Sequence, residues 1–172
     1  GYGSARTFLR RGEMPPEPTP KVLLTVIPLF HVTACSAMLM GAVAAGHKLV
    51  FMRKWDTVKA LELIERERVN VTGGVPTIAW QLLEHPDRGN YDLSSLESIS
   101  YGGAPSAPEL VRKIREEFGA LPGNGWGMTE TMATVTGIGG EEYLARPTSC
   151  GPAVPVAEVA VPHPETTPPP PL

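Results

Sequence analysis

The chain has 172 residues, of which 42% are hydrophobic and 19% are charged, and its formal net charge is −3. This length suffices for one domain with a substantial core. The slightly negative net charge argues against non-specific nucleic-acid binding, which usually requires a basic patch. Cys35 and Cys150 are isolated, which excludes a disulfide framework and a zinc-type cluster and makes a reducing compartment the default. With no signal-peptide pattern and no apolar run of roughly 18 residues, we expect a cytoplasmic protein.

Short apolar runs alternate with helical patterns through most of the chain. Four short apolar runs are predicted as strands, the first of which contains β-branched residues typical of a buried strand, and a fifth, shorter strand is expected near 122–125. A small-residue segment predicts a buried helix over 33–45, Asp56 predicts the start of a second helix, and a third is expected over 77–84. A capping box of Ser106 and Glu109 predicts the fourth. The first four predicted strands are 22–27, 48–52, 69–72 and 96–101.

This alternation predicts an α/β fold with a mostly parallel sheet, helices on both faces and right-handed crossovers. In such sheets ligands bind beyond the carboxyl ends of the strands. The unusual sequences of this chain all fall at those ends, so we expect them to form one shared site. They are the segments 28–31, 73–76, 102–105 and 125–131.

The two ends of the chain differ from its middle. Residues 1–21 contain four closely spaced prolines, which predicts a surface connection to a single domain at 22–161. Segments 133–138 and 154–161 are predicted as short strands joined by a turn at 149–152. Residues 162–172 have no apolar periodicity and carry a run of prolines, so an extended or disordered tail is expected.

The stretch 125–131, GWGMTET, combines residue types that suit a nucleotide. Its glycines allow the backbone to approach a ligand, and the ring of Trp126 can stack on a planar base. The Thr129 hydroxyl and the Glu130 carboxylate can serve a phosphate oxygen and Mg²⁺. The same residues also fit a glycine-rich loop with a core tryptophan, in which Glu130 marks the start of a helix.

Three other segments carry candidate residues, each with a structural alternative. His31 can orient a substrate carboxylate, or it can be a hydrogen-bonded histidine at a strand end. Val75, Pro76 and Trp80 can wall an apolar acyl pocket, or they can belong to ordinary helix packing. Segment 102–105 can bring its backbone close to a flat ligand, or it can be a tight strand-to-helix turn.

Taken together, five segments in order resemble the adenylate-forming enzymes, and within them the acyl-CoA synthetases most closely. One such motif would be weak, but five in register are highly specific. The segments are PLFHVT at 28–33, GVPT at 74–77, YDLSSL at 91–96, YGGAP at 101–105 and GWGMTET at 125–131.

The resemblance implies a two-step ligase that uses ATP, Mg²⁺ and coenzyme A. A small-molecule carboxylic acid, with a fatty acid as the expected substrate, first forms an acyl-AMP, and coenzyme A then displaces AMP. The resemblance implies that Thr129 contacts phosphate, Glu130 holds Mg²⁺ and His31 lies by the carboxylate and α-phosphate. It also implies that Trp126 stacks near adenine and that the backbone of Gly102, Gly103 and Ala104 lines both the adenine and the acyl pocket. The full nucleotide-binding set is Gly102, Gly103, Ala104, Gly125, Trp126, Gly127, Met128 and Thr129.

Some parts of the family pattern are not found in this sequence. The phosphate-binding loop lies upstream of PLFHVT in the family, and the ribose-binding aspartate, the hinge and the lysine-bearing C-terminal domain lie downstream. We therefore expect an internal fragment of the N-terminal domain that is inactive alone. The alternatives are an adenylation domain for amino or aryl acids, and a non-catalytic protein that binds nucleotide or acyl groups. Oligomeric state and membrane association stay open.

Overall fold

A six-stranded sheet organises the chain in the computed structural model, which describes Gly12 and residues 19–160. The first five strands are parallel and the sixth is antiparallel to the fifth, in the spatial order β2-β1-β3-β4-β5-β6. This confirms the mostly parallel α/β fold. The strands are β1 Val22–Thr25, β2 Lys48–Phe51, β3 Val71–Gly74, β4 Ser98–Gly102, β5 Leu121–Met128 and β6 Ala133–Gly139.

Helices occupy the connections between these strands. Helix α1 is π-helical over Thr33–Met40 and α-helical over Gly41–Ala44; the others are α2 Thr57–Glu67, α3 Pro76–Glu84, α4 Pro108–Phe118 and α5 Gly140–Ala145. Within the described residues, no helix combines the length and apolar character needed to cross a membrane. Most of segment 1–21 and all of 162–172 lie outside the described residues, so the predictions made for both ends stay predictions.

The helix starts follow two different rules. Asp56 caps α2 as predicted, because its Oδ1 accepts a hydrogen bond of 2.8 Å from the Lys59 backbone N–H. The capping box predicted for α4 is wrong. That helix begins at Pro108, which needs no capping partner for its nitrogen, and the Ser106 hydroxyl donates to the Ala107 carbonyl at 3.4 Å instead.

Helix α1 is less buried than its composition predicted. Ala34 and Ala42 are buried, whereas Met40 is 60% exposed and Val43 is 71% exposed. The prediction of a buried helix is therefore wrong. Apolar residues occur all around this helix, and only the side that carries the two alanines is covered by the rest of the described structure, so its larger side chains face outward.

The remaining long helices build the core on one face of the sheet. Helix α3 contacts both α2 and α4, so these three share that face, and their apolar side chains pack on Leu24 and Ile99 of the sheet. A right-handed crossover from β1 to β2 puts α1 on the opposite face. The connections from β1 and β3 thus leave on opposite faces, which opens a crevice at the carboxyl ends of these neighbouring strands.

The end of the sheet departs from the prediction in three ways. Strand β5 runs on to Met128, well past the expected end at residue 125, because it pairs with β6 in a hairpin. Helix α5 was not predicted. The strand predicted at 154–161 is wrong for the described residues 154–160, where the backbone forms a turn and irregular chain; one isolated bridge joins Ala153 to Thr136.

The YDLSSL segment ties the end of α2 to the loop before β4. Arg68 ends α2 in the left-handed conformation, with φ 52°, and its guanidinium donates to Asp92 Oδ2 at 2.5 Å. Asp92 Oδ1 accepts from the Ser94 N–H at 3.0 Å, as in an Asx turn. These hydrogen bonds, first those from Ser94 and then that from Arg68, lower the pKa of Asp92 to about 2.

This ion pair predicts an acid-sensitive contribution to stability. The folded-state pKa of Asp92 lies below the ordinary value of 3.8, so its stabilising effect is complete above that value and is lost as pH falls toward about 2. We expect Asp92→Asn to reduce the loss of unfolding free energy between about pH 5 and about pH 3 in urea titrations. Asp87→Asn, in the same exposed loop, is the control. Parallel pH dependence of wild type and Asp92→Asn would contradict the assignment.

Candidate functional site

A groove of about 470 Å³ lies where the chain leaves β4 and runs along β5. The parallel register pairs Gly102 of β4 with Gly125 of β5, which brings the third and fourth predicted segments side by side. The groove is lined by Gly103, Ala104, Pro105, Ser106, Asn124, Gly125, Trp126, Gly127, Tyr143, Pro147, Thr148 and Cys150. Its volume is within the range of small-molecule pockets, which are typically about 300–1,000 Å³.

Two glycines of these segments allow neighbouring strands to approach closely. A Cβ on Gly102 would lie 2.5 Å from the Gly125 carbonyl oxygen, and a Cβ on Gly127 would lie 1.5 Å from that of Ala133. Side chains cannot be accommodated at such distances, so both positions require glycine for packing. Glycine, which the sequence analysis interpreted as allowing a ligand to approach the backbone, therefore also allows the strands of the site to pair.

Trp126 is a groove residue and not a core residue. It lies in β5, it is 46% exposed, and it lines the same groove as Gly103 and Ala104. Gly103 has φ 75° with open space where a Cβ would be, as a tight turn demands. A groove lined by an exposed indole and by a turn without a bulky side chain suits a planar ligand.

Thr129 and Glu130 lie in the exposed turn that joins β5 to β6, beyond the residues that line the groove. Thr131 closes this turn, since its hydroxyl oxygen accepts from the Met128 N–H and lies 3.0 Å and 3.1 Å from the carbonyls of Met128 and Ala133. Met132 and Ala133 have positive φ values of 51° and 89°, which is strained for residues with a Cβ. No helix starts here, so the helix-start interpretation of Glu130 is wrong.

His31 lies in the connection that follows β1, just before α1 begins. Its side chain is exposed, and Nδ1 accepts a hydrogen bond of 3.2 Å from the Thr33 N–H, which leaves Nε2 directed away from its own backbone. The carbonyl of His31 accepts from the N–H groups of Ala34 and Cys35 at the start of α1. His31 does not line the groove.

The residues predicted to wall an acyl pocket occupy different environments. Val75 is 44% exposed at the carboxyl end of β3, and Pro76 is buried at the start of α3. Trp80 lies one turn further along α3, where the Lys113 ammonium of α4 is 5.8 Å from its ring centroid. Trp80 therefore packs in the helix layer and none of the three lines the groove.

Several groove residues were missed by sequence reasoning, and Tyr143 is the largest of them. It belongs to α5, is 1% exposed, and its hydroxyl oxygen lies 3.3 Å from that of Tyr101 in β4. Burial raises the pKa of Tyr101, although Ser106 acts in the opposite direction, so Tyr101 stays protonated. Thr148 and Cys150 follow on the loop after α5, in a segment whose composition carries no motif.

Glu130 is the side chain of the predicted site that could hold a metal ion. No cluster of three or more histidine, cysteine, aspartate or glutamate residues occurs in the part of the chain that the structure describes. Glu130 makes no ion pair with any described residue, and its carboxylate stands on the exposed turn. One free carboxylate fits Mg²⁺, which usually takes one or two protein carboxylates together with substrate phosphates and water.

Comparison with known proteins assigns a family to this arrangement. The sequence matches the model of the family described as AMP-binding enzyme over residues 4–171. The chain belongs to the AMP-binding enzyme family. It is 36% identical over 149 residues to 4-coumarate-CoA ligase 1 of Narcissus pseudonarcissus, covering 84% of this chain and 27% of that protein.

Solved structures of AMP-binding relatives share the fold. A fatty acyl CoA synthetase of Mycobacterium tuberculosis superposes with a TM-score of 0.75 at 30% identity, covering 83% of this chain and 28% of that one. An O-succinylbenzoate coenzyme A synthetase of Bacillus subtilis, in complex with ATP and magnesium ion, superposes with a TM-score of 0.74 at 25% identity, covering 97% of this chain and 33% of that one. The present chain thus spans about a quarter to a third of the relatives it matches.

The close approach at Gly127 generates a stability prediction. Gly127→Ala would force a Cβ against the Ala133 carbonyl oxygen at 1.5 Å, whereas a Cβ on Gly125 meets Thr134 Cγ2 at 3.7 Å, an ordinary contact. We expect Gly127→Ala to lower the unfolding free energy by about 3 kcal/mol or more and Gly125→Ala to change it by less than about 1 kcal/mol. Urea denaturation followed by tryptophan fluorescence measures both, and equal effects would contradict the packing.

Proposed function

We propose that this chain forms the nucleotide-facing part of an AMP-forming acid–thiol ligase of the acyl-CoA synthetase type. In the reaction a carboxylate oxygen attacks the α-phosphorus of ATP and releases pyrophosphate. The thiolate of coenzyme A then attacks the acyl carbon and AMP leaves. The observation that carries the proposal is the pairing of Gly102 with Gly125, which forms a groove walled by Trp126 in a chain of the AMP-binding enzyme family. We assign the full reaction to a longer protein of which this chain is a part, and nucleotide binding to the 172-residue chain itself.

The nucleotide base is proposed to lie in the groove between Trp126 and the turn at Gly103 and Ala104. The exposed indole offers a stacking face, and the turn presents backbone polar groups that no side chain shields. Gly125 and Gly127 continue this wall along β5, and Met128 ends the strand beyond the groove lining. A volume of about 470 Å³ is sufficient for an adenine ring together with part of an acid substrate.

The phosphates are proposed to extend from the groove toward the turn between β5 and β6. There the Thr129 hydroxyl would contact a phosphate oxygen, and the Glu130 carboxylate would hold Mg²⁺. Bound Mg²⁺ would neutralise charge on the phosphates while they react. The exposure of Glu130 and its lack of an ion pair among the described residues support this role.

The acid is proposed to approach along the crevice between β1 and β3. His31, in the connection that follows β1, is proposed to stand at one side of that crevice and to offer its Nε2 to a carboxylate or α-phosphate oxygen, since its Nδ1 already accepts from the Thr33 N–H. Val75 stands at the other side and offers an exposed apolar surface to the acyl group. Pro76 and Trp80 then support this wall from the helix layer. Correct placement of the two reactants is the main catalytic contribution of such a site.

For the acid, two chemical classes compete. The resemblance of the sequence motifs suggests a fatty acid, and the fatty acyl CoA synthetase of known structure agrees with that suggestion. The identity of 36% to a protein named for 4-coumarate favours an aryl acid instead, and an exposed tryptophan suits a flat ring better than a flexible chain. We propose an aryl acid as the leading substrate class and a fatty acid as the second.

Glu130 allows a direct test of the metal role. We expect Mg²⁺ to increase the affinity of the 172-residue chain for ATP. In Glu130→Gln the factor by which Mg²⁺ increases this affinity is expected to be smaller by about tenfold or more. AMP binding measured without metal is expected to stay unchanged, because the carboxylate does not line the groove. Isothermal titration calorimetry gives both constants, with Glu116→Gln on the exposed face of α4 as the matched control. An equal Mg²⁺ effect in wild type and Glu130→Gln would refute the role.

The substrate class can be tested by comparing two acids on the nucleotide-free chain, in which the exposed face of Trp126 is open to either acid. We expect 4-coumarate to bind roughly three- to tenfold more tightly than decanoate, because an aromatic pair adds about 0.5–1.5 kcal/mol to area burial. Trp126→Leu is expected to reduce this preference while keeping the wall apolar. Tighter binding of decanoate would favour the fatty acid instead.

A further inference from the structure

Tyr101 and Tyr143 form a buried pair of hydroxyl groups beside the groove. Tyr101 is 4% exposed and Tyr143 is 1% exposed, and their ring centroids lie 6.2 Å apart with the planes at 59°. The two residues come from β4 and α5, which are distant in sequence. Of the two side chains, that of Tyr143 borders the groove and that of Tyr101 does not.

The hydrogen bonds of this pair leave one donor unused. Tyr101 donates its hydroxyl hydrogen to Tyr143 Oη at 3.3 Å, so the oxygen of Tyr143 acts as the acceptor. A tyrosine hydroxyl carries a single hydrogen, and that of Tyr143 has no acceptor among the described residues. A buried donor without a partner is costly, so it needs an acceptor from whatever fills the adjacent space. Tyr143 is one of the residues that line the groove, so a ligand bound there is the nearest source of such an acceptor.

We propose that Tyr143 is a specificity-determining residue whose hydroxyl donates a hydrogen bond to a planar aromatic ligand held against Trp126. The ligand must carry an acceptor atom on its edge, such as a ring nitrogen or a ring oxygen substituent. Tyr101 occupies the acceptor site of the Tyr143 oxygen and does not contact the ligand, so the Tyr143 hydrogen is the one left for the ligand. This inference rests on the proposed function, since both the purine of a nucleotide and the ring of an aryl acid have this chemistry.

Two single-atom deletions separate the binding role from a merely structural one. Tyr143→Phe removes both the hydrogen bond within the pair and the donor to the ligand. Tyr101→Phe removes the hydrogen bond within the pair and leaves the Tyr143 hydroxyl beside the groove. The two variants keep both rings, and urea denaturation is expected to show the same small decrease in midpoint for each.

Calorimetric titration of the 172-residue chain with AMP, and then with 4-coumarate, tests the donor directly. We expect Tyr143→Phe to weaken binding of one of these probes about three- to tenfold, the effect of losing one neutral hydrogen bond, while Tyr101→Phe changes it less than about twofold. A loss confined to AMP identifies the purine as the acceptor, and a loss confined to 4-coumarate identifies the ring of the acid.

The remaining outcomes refute the inference in distinguishable ways. If Tyr143→Phe binds both probes as wild type does, the inference is wrong and the proposed function stands. If Tyr101→Phe loses as much affinity as Tyr143→Phe, the pair is structural and the inference is again wrong. If the folded wild-type chain binds neither probe, the proposed nucleotide-facing role fails together with the inference.

Discussion

The close approach of β4, β5 and β6 is the constraint on which the rest of the structure depends. At Gly102 and Gly127 a single added carbon would lie within 2.5 Å or less of a carbonyl oxygen of the neighbouring strand. At these two positions the strands can therefore pair only because a side chain is missing. The same pairing determines that the turn after β4 faces the middle of β5, and this is how the groove forms.

Packing and recognition are consequently coupled in the glycine-rich segments. A glycine beside a ligand is usually explained by the need for close backbone approach to that ligand. Here Gly102 and Gly127 are required by neighbouring strands, while Gly103 has the positive φ and the open space that a ligand-facing turn needs. Loss of affinity after substitution at Gly127 would thus report a displaced strand, and substitution at Gly103 is the more direct probe of the groove.

Sequence patterns predicted the parallel sheet because each parallel strand carries a local apolar signal and a distinct turn at its end. They did not predict that β5 continues to Met128, since its glycines have low strand propensity and only pairing with β6 keeps them extended. Nor did they predict α5, whose six residues are too few for a helical period, so Tyr143 could not be anticipated. The prediction that α1 is buried was wrong for a related reason, because composition alone does not show which faces of an apolar helix are covered.

The site divides into a rigid part and an exposed part, and this division follows from the hydrogen bonds. The groove is built on paired strands and the buried tyrosines, so its shape is set before a ligand arrives. Thr129 and Glu130 stand on an exposed turn whose side-chain hydrogen bonds, among the described residues, come from Thr131. The two residues that follow Thr131 have strained positive φ values. A preformed slot favours recognition of a flat group, whereas an exposed carboxylate can follow phosphates that change charge and position during a reaction. Binding and charge neutralisation are therefore assigned to different elements, and substitutions in them should affect different steps.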